Sequence, residues 1–204
     1  MKVSLERVFP MPASAERSWG LLQDVERVAA CMPGAAITER IDDRHYKGTV
    51  AVRLGPANVS FRGELMLAEI DPASHTLHLT GKGTDTAGGS AASLDLTARV
   101  EAVDATSSNL AGKSEASLSG RVATFGGRMA EAVAEQVLQQ FAANFAAALQ
   151  ADERSSIGTP ATAGTSVGGE RPAPARPATP LNGLALLWGA LRSWLRSTFG
   201  WRRA

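Results

Sequence analysis

Residues 120–151 read GRVATFGGRMAEAVAEQVLQQFAANFAAALQA, and the fold turns on this stretch. From Gly126 to Ala151 there is no proline, and alanine, glutamate and glutamine dominate, which is the composition of a long helix. Met129, Val133, Val137, Phe141, Phe145 and Leu149 recur every four residues and so share one stripe. A helix of this length with one apolar stripe must lay that stripe on a partner surface, and the residues upstream supply one.

Between Gly34 and Gly120 the chain alternates. Val50, Val52 and Leu54 face away from Thr49, Ala51 and Arg53; Val59, Phe61, Leu65 and Leu67 face away from Ser60, Arg62, Glu64 and Met66. Leu77 and Leu79, then Leu94, Leu96, Ala98 and Val100, repeat the pattern. These are half-buried strands. Asp71-Pro72, Gly88-Gly89 and Asp104–Asn109 supply turns at the spacing of an antiparallel meander. Ahead of them, Lys2–Phe9 alternates and reads as a strand ended by Pro10 and Pro12. Ser14 caps a short helix, Val25–Cys31 forms a second, and Met32-Pro33-Gly34 is a turn. The order is α+β: a curved antiparallel sheet of about seven strands wrapped around the long C-terminal helix.

The inward register carries small residues: Gly48, Gly63, Gly81, Gly83, Ala92, Gly112 and Ala116. Such gaps either bend the sheet, let the helix sit very close, or leave an apolar cavity of the kind that binds apolar ligands. Candidate lining residues are Trp19, Phe61, Gly63, Gly81, Phe125, Met129, Val133, Val137 and Phe141. For each large apolar one among them, the ordinary alternative is hydrophobic core.

Catalytic patterns do not emerge. His75 and His78 read as solvated strand histidines on opposite faces, and the single Cys31 as a small packing residue with no disulfide or zinc partner. Gly81-Lys82-Gly83-Thr84-Asp85 lacks the third glycine and the following helix of a dinucleotide loop. Ser114, Ser117 and Ser119 lie on a strand without a histidine nearby in sequence. Basic residues of the body alternate with acids, so nucleic acid is not the expected partner. The N-terminus, MKVSLERVFPMP, lacks the apolar core of a signal peptide.

The remainder of the chain changes character. Residues 1–152 form the body, 153–180 a Gly/Pro/Ala/Ser-rich linker, and 181–204 an amphipathic helix, LNGLALLWGALRSWLRSTFGWRRA. Leu184, Leu187, Trp188, Leu191, Trp194, Leu195 and Phe199 fall on one side of it, with Arg192 and Arg196 flanking and Arg202 and Arg203 closing it. The uninterrupted apolar run is about half the 20 residues a spanning helix needs. Residues 155–204 hold six Arg and one Glu, leaving the body acidic on balance. The expected place is peripheral, on the cytoplasmic face of the cell membrane, with the tail in the headgroup plane; a groove on a partner protein or on the body is the alternative.

Ser14 and Trp19 in the first helix, Met32-Pro33-Gly34, Tyr46-Lys47-Gly48, Gly81-Lys82-Gly83 and the segment Gly120–Arg128 entering the last helix form a combination. Together they resemble the G-type subunit of carbon monoxide dehydrogenase, within the helix-grip START-like (SRPBCC) superfamily. The resemblance implies a non-enzymatic accessory protein that brings a molybdenum-containing CO dehydrogenase, or a related hydroxylase, to the membrane. It implies a quinone, menaquinone or ubiquinone, as bound ligand, linking oxidation to the respiratory chain. Phe125 and Met129 are then the preferred ring contacts, because flat aromatic and flexible thioether surfaces suit a planar quinone. A pure recruitment or assembly factor, a lipid-binding relative and a START-like enzyme such as a cyclase or hydrolase are the rival readings.

Overall fold

In a computed structural model, which describes residues 1–55 and 57–157, seven strands pair antiparallel in one sheet. They are β1 (Lys2–Met11), β2 (Ala35–Arg40), β3 (His45–Leu54), β4 (Ala57–Asp71), β5 (Thr76–Asp85), β6 (Ser90–Ala102) and β7 (Ser108–Gly120). Across the sheet the order is β1-β7-β6-β5-β4-β3-β2. From β2 to β7 every chain neighbour is a sheet neighbour, and the first strand closes against the last. The alternating pattern sets the faces as expected: Val59, Leu67, Leu77, Ala98, Val100 and Leu110 are buried, while Arg62, Glu64, Asp95 and Glu115 are exposed.

Three expectations need correction. β1 does not stop at Phe9 but runs through Pro10 to Met11, pairing Pro10 with Asn109. It is an edge strand with β7 as its only neighbour among the described residues, a position where a residue lacking N–H costs no ladder bond. His75 is not a solvated strand residue. It sits in the β4–β5 turn at φ 49° and stacks on the Trp19 indole, with centroids 5.5 Å apart. Finally, the last helix outruns Ala151.

Between β1 and β2 lie α1 (Ala15–Gln23) and α2 (Val25–Cys31). The Ser14 hydroxyl accepts from the Arg17 amide and Asp24 from the Arg27 amide, satisfying donors that a helix start leaves open. After β7 a 3₁₀ turn, Arg121–Phe125, leads into α3 (Gly127–Ile157). Gly120 (φ 73°) and Gly126 (φ 84°) bracket that turn in the left-handed region, which glycine enters without strain. Charge holds the extra length of α3: Arg27 meets Asp152 at 2.7 Å and Arg17 meets Glu153 at 3.4 Å. Residues 153–157, expected in the linker, are therefore helical. The rest of the linker and the tail lie outside the described residues.

The inner end of the grip is densely packed. Phe145 and Leu149 are fully buried, together with Met11, Trp19, Leu22, Leu77, Val100 and Leu110. The Ser18 and Ser108 hydroxyls satisfy each other there at 2.8 Å.

At that same end the connecting turns carry aspartates. Asp104 accepts from Ser107 and from the Thr106 amide and hydroxyl, which holds its carboxyl down at about 2. Asp42 is lowered by the Arg44 amide and the His45 ring, and Asp71 by Ser74 and the Ala73 amide. A carboxylate lowered in the fold stabilises it above its ordinary titration range and loses that contribution as pH falls through the folded value. The thermal midpoint is thus expected to be flat from neutral pH down to about pH 4 and to fall between about pH 4 and 2. In Asp104→Asn, calorimetry across this range should show a shallower decline.

Candidate functional site

The inner face of the sheet is laid out in transverse rows. One row is Gly48, Gly63, Gly83, Ala92 and Leu118, carried strand to strand by the register. The next is Tyr46, Leu65, Gly81, Leu94, Ala116 and Val3. All the small residues picked from the sequence do face inward together, and they answer the three-way question of their purpose differently.

Gly48, Gly63 and Gly83 bend the sheet. A Cβ on Gly48 would lie 2.7 Å from the Ala36 carbonyl oxygen, and one on Gly63 only 2.6 Å from Gly83 Cα. On Gly83 it would meet the Arg62 carbonyl at 3.2 Å. The crowding atoms are all backbone of neighbouring strands. At Gly81 the nearest atoms are at ordinary distance, 3.7 Å or more, and at Gly112 nothing lies within 4 Å. At none of these glycines is α3 the nearby body. The gaps therefore do not serve close helix approach; the α3 backbone nears the sheet most at β1 and β3.

The space so left shows in the packing. Besides the main core there is a second, smaller cluster at the outer end, Val59 and Val122 with Val52, Ala57, Phe61, Leu118, Phe125 and Val133. Leu5, Leu94, Leu96 and Val137 belong to neither cluster and are only half-buried, although all four point between sheet and helix. In a continuous core, residues in such positions would be buried against 6–12 neighbours each. An apolar cleft runs here between the two packed ends.

The sequence-derived lining residues divide accordingly. Gly81 and Val137 stand at the cleft. Phe61, Phe125 and Val133 pack together in the outer cluster. Met129 is 39% exposed, with its thioether end beside Gly55 of the β3–β4 hairpin. Trp19 and Phe141 belong to the main core, with Phe141 tilted against Phe145 at 5.7 Å between centroids. Gly63 shapes the sheet through its crowding. Leu5, Leu94 and Leu96 join the lining although sequence reasoning does not single them out: alternation marks them as inward but carries no information on depth along the strand.

Polar groups stand at the margins of the cleft. Arg7 on β1 donates from Nε to both Glu135 oxygens, at 2.9 and 3.2 Å, and so ties the sheet edge to α3. This contact raises the guanidinium and lowers the carboxyl. The Asp85 carboxylate is 8% exposed and faces Arg121 at 3.5 Å. Burial pushes the Cys31 thiol up, only partly opposed by Arg27, which is the reverse of what a nucleophilic thiolate requires. Among the described residues no group of His, Cys, Asp and Glu is placed to hold a metal ion, and no helix is long and apolar enough to cross a membrane.

Comparison with known proteins fits this geometry. A conserved protein from Geobacillus kaustophilus matches 74% of this chain and 97% of its own at TM-score 0.66 and 17% identity. The ZhuI aromatase/cyclase from Streptomyces sp. R1128 matches 78% and 100% at TM-score 0.57 and 17% identity. A START superfamily protein from Mycobacterium smegmatis matches 72% and 97% at 0.52 and 15%. At these identities the likeness concerns the fold, which is START-like. No curated protein sequence matches. The CoxG family model, which describes the G-type subunit of carbon monoxide dehydrogenase, matches residues 9–150, from the end of β1 to the last turns of α3, and the chain belongs to that family.

Proposed function

We propose that this is a non-enzymatic accessory protein that holds a quinone in the cleft between sheet and α3 and serves a molybdenum-containing CO dehydrogenase-type enzyme at the cytoplasmic membrane. The observation that carries the reading is the quartet Leu5, Leu94, Leu96 and Val137, inward-facing yet packed into neither core. Apolar surface left open between two packed clusters gains roughly 25 cal/mol per Å² when a ligand covers it. The family supplies the enzyme partner. The amphipathic pattern of residues 181–204, with four arginines, supports the bilayer, each arginine contributing about 1 kcal/mol near an anionic surface.

Protein purified from its native cells should yield a quinone on organic extraction and mass spectrometry. An extract with none, from protein that also takes up no added analogue, would overturn the ligand reading. The second reading, recruitment without a ligand, is favoured by the crowding at Gly48 and Gly63, which explains those two glycines without any cargo.

A further inference from the structure

The cleft ends at the outer cluster, where the β3–β4 hairpin, the β5–β6 turn, the 3₁₀ turn and the start of α3 come together. Arg121 ties the 3₁₀ turn to the β5–β6 turn: its amide bonds the Gly89 carbonyl, and its guanidinium reaches Gly88 and Asp85. Gly55 at the hairpin tip meets Met129 of α3. This end exposes apolar surface that the fold would otherwise hide. Val50, on the inner face, is 37% exposed and Met129 39%; Phe61 and Phe125 behind them are half-buried.

The same end is basic. Among the described residues there, Arg53, Arg62, Arg121 and Arg128 are exposed, against one exposed acid, Glu131. The carboxylate of Asp85 is shielded. At the opposite end the turns carry Asp42, Asp43, Asp71 and Asp104. The body thus has an apolar opening among arginines at one end and aspartates at the other.

We infer that this end is a membrane-docking surface in its own right: Val50 and Met129 enter the headgroup region of an anionic bilayer while Arg53, Arg62, Arg121 and Arg128 meet its phosphates. Apolar side chains bordered by cations are what an interfacial site requires. The acidic opposite end orients the body with the opening toward the lipid. An acidic protein would satisfy the arginines but not Val50 and Met129, so the lipid surface is the occupant. The physical basis is independent of cargo; the purpose, passage of a ligand from bilayer to cleft without crossing water, rests on the reading of the cleft given above.

The test uses the full chain, with an environment-sensitive fluorophore at Met129→Cys or, for the opposite end, at Ala105→Cys; Cys31 is buried and does not compete. Quinone-free vesicles of phosphatidylcholine with about one-third phosphatidylglycerol should blue-shift and brighten the Met129→Cys label and leave the Ala105→Cys label unchanged. Adding Arg53→Ser and Arg128→Ser should raise the lipid concentration for half-response about tenfold or more. A silent label at position 129, whether or not the protein pellets with the vesicles, overturns the inference. So does an equal response at both positions, or a response to polyglutamate and none to vesicles. Because the vesicles carry no quinone, failure of the cargo reading would appear in the extraction experiment and not here.

Discussion

Gly63→Ala is expected to lower the thermal midpoint by on the order of 10 °C, about 3 kcal/mol of stability. The added carbon would meet the Lys82 carbonyl and lie 2.6 Å from Gly83 Cα. Both are backbone atoms of the neighbouring strand, which cannot rotate aside as a side-chain tip would. The only relief is to part β4 from β5 at the sheet's centre, and each of those strands carries core residues, Leu67 and Leu77. Circular dichroism melting of the variant measures the effect directly. A midpoint unchanged from wild type would mean that the sheet is not bent as tightly as the rows require.

Gly81→Leu is the complementary case, one row away on the same face, and its expected result is the reverse. A Cβ at Gly81 finds only the Glu64 carbonyl at 3.7 Å and Leu94 Cβ at 3.8 Å, so the first added carbon is tolerated. The remaining carbons project toward the cleft. Removing glycine from a strand interior offsets part of any crowding, and the midpoint should stay within a few degrees of wild type. Affinity for a quinone analogue should drop about tenfold or more, roughly the 1.4 kcal/mol lost when one well-placed apolar contact surface is occupied by the protein itself. Quenching of tryptophan fluorescence by added analogue gives both dissociation constants. Equal affinity in the two proteins would place the ligand elsewhere.

These two glycines also show where the sequence stops being informative. Strand alternation and the four-residue stripe of α3 are enough for the element order and the facing of nearly every side chain, because both depend on local period alone. Which glycine bends and which opens space depends on the neighbouring strand's carbonyls, and register sets that. Pro10 misleads because its tolerance follows from β1 being an edge, a property of topology. His75 misleads because its partner, Trp19, comes from a helix far away in the chain. The lining trio Leu5, Leu94 and Leu96 cannot be told from core residues by sequence: all are inward leucines, and only the separation of the two packed clusters distinguishes them. Membership in the CoxG family is legible because its turns and glycines are local features that survive in a single sequence.

If the half-buried quartet marks room for an apolar ligand, the fold must gain stability when that room is filled. The most direct measurement is the melting temperature of the full chain against rising concentrations of a short-chain quinone analogue. Binding to the folded form alone raises stability by about 2.7 kcal/mol when the analogue reaches a hundredfold excess over its dissociation constant. The midpoint should therefore climb by several degrees and keep climbing with the logarithm of concentration. A midpoint that stays flat up to the analogue's solubility limit would contradict the presence of such a site.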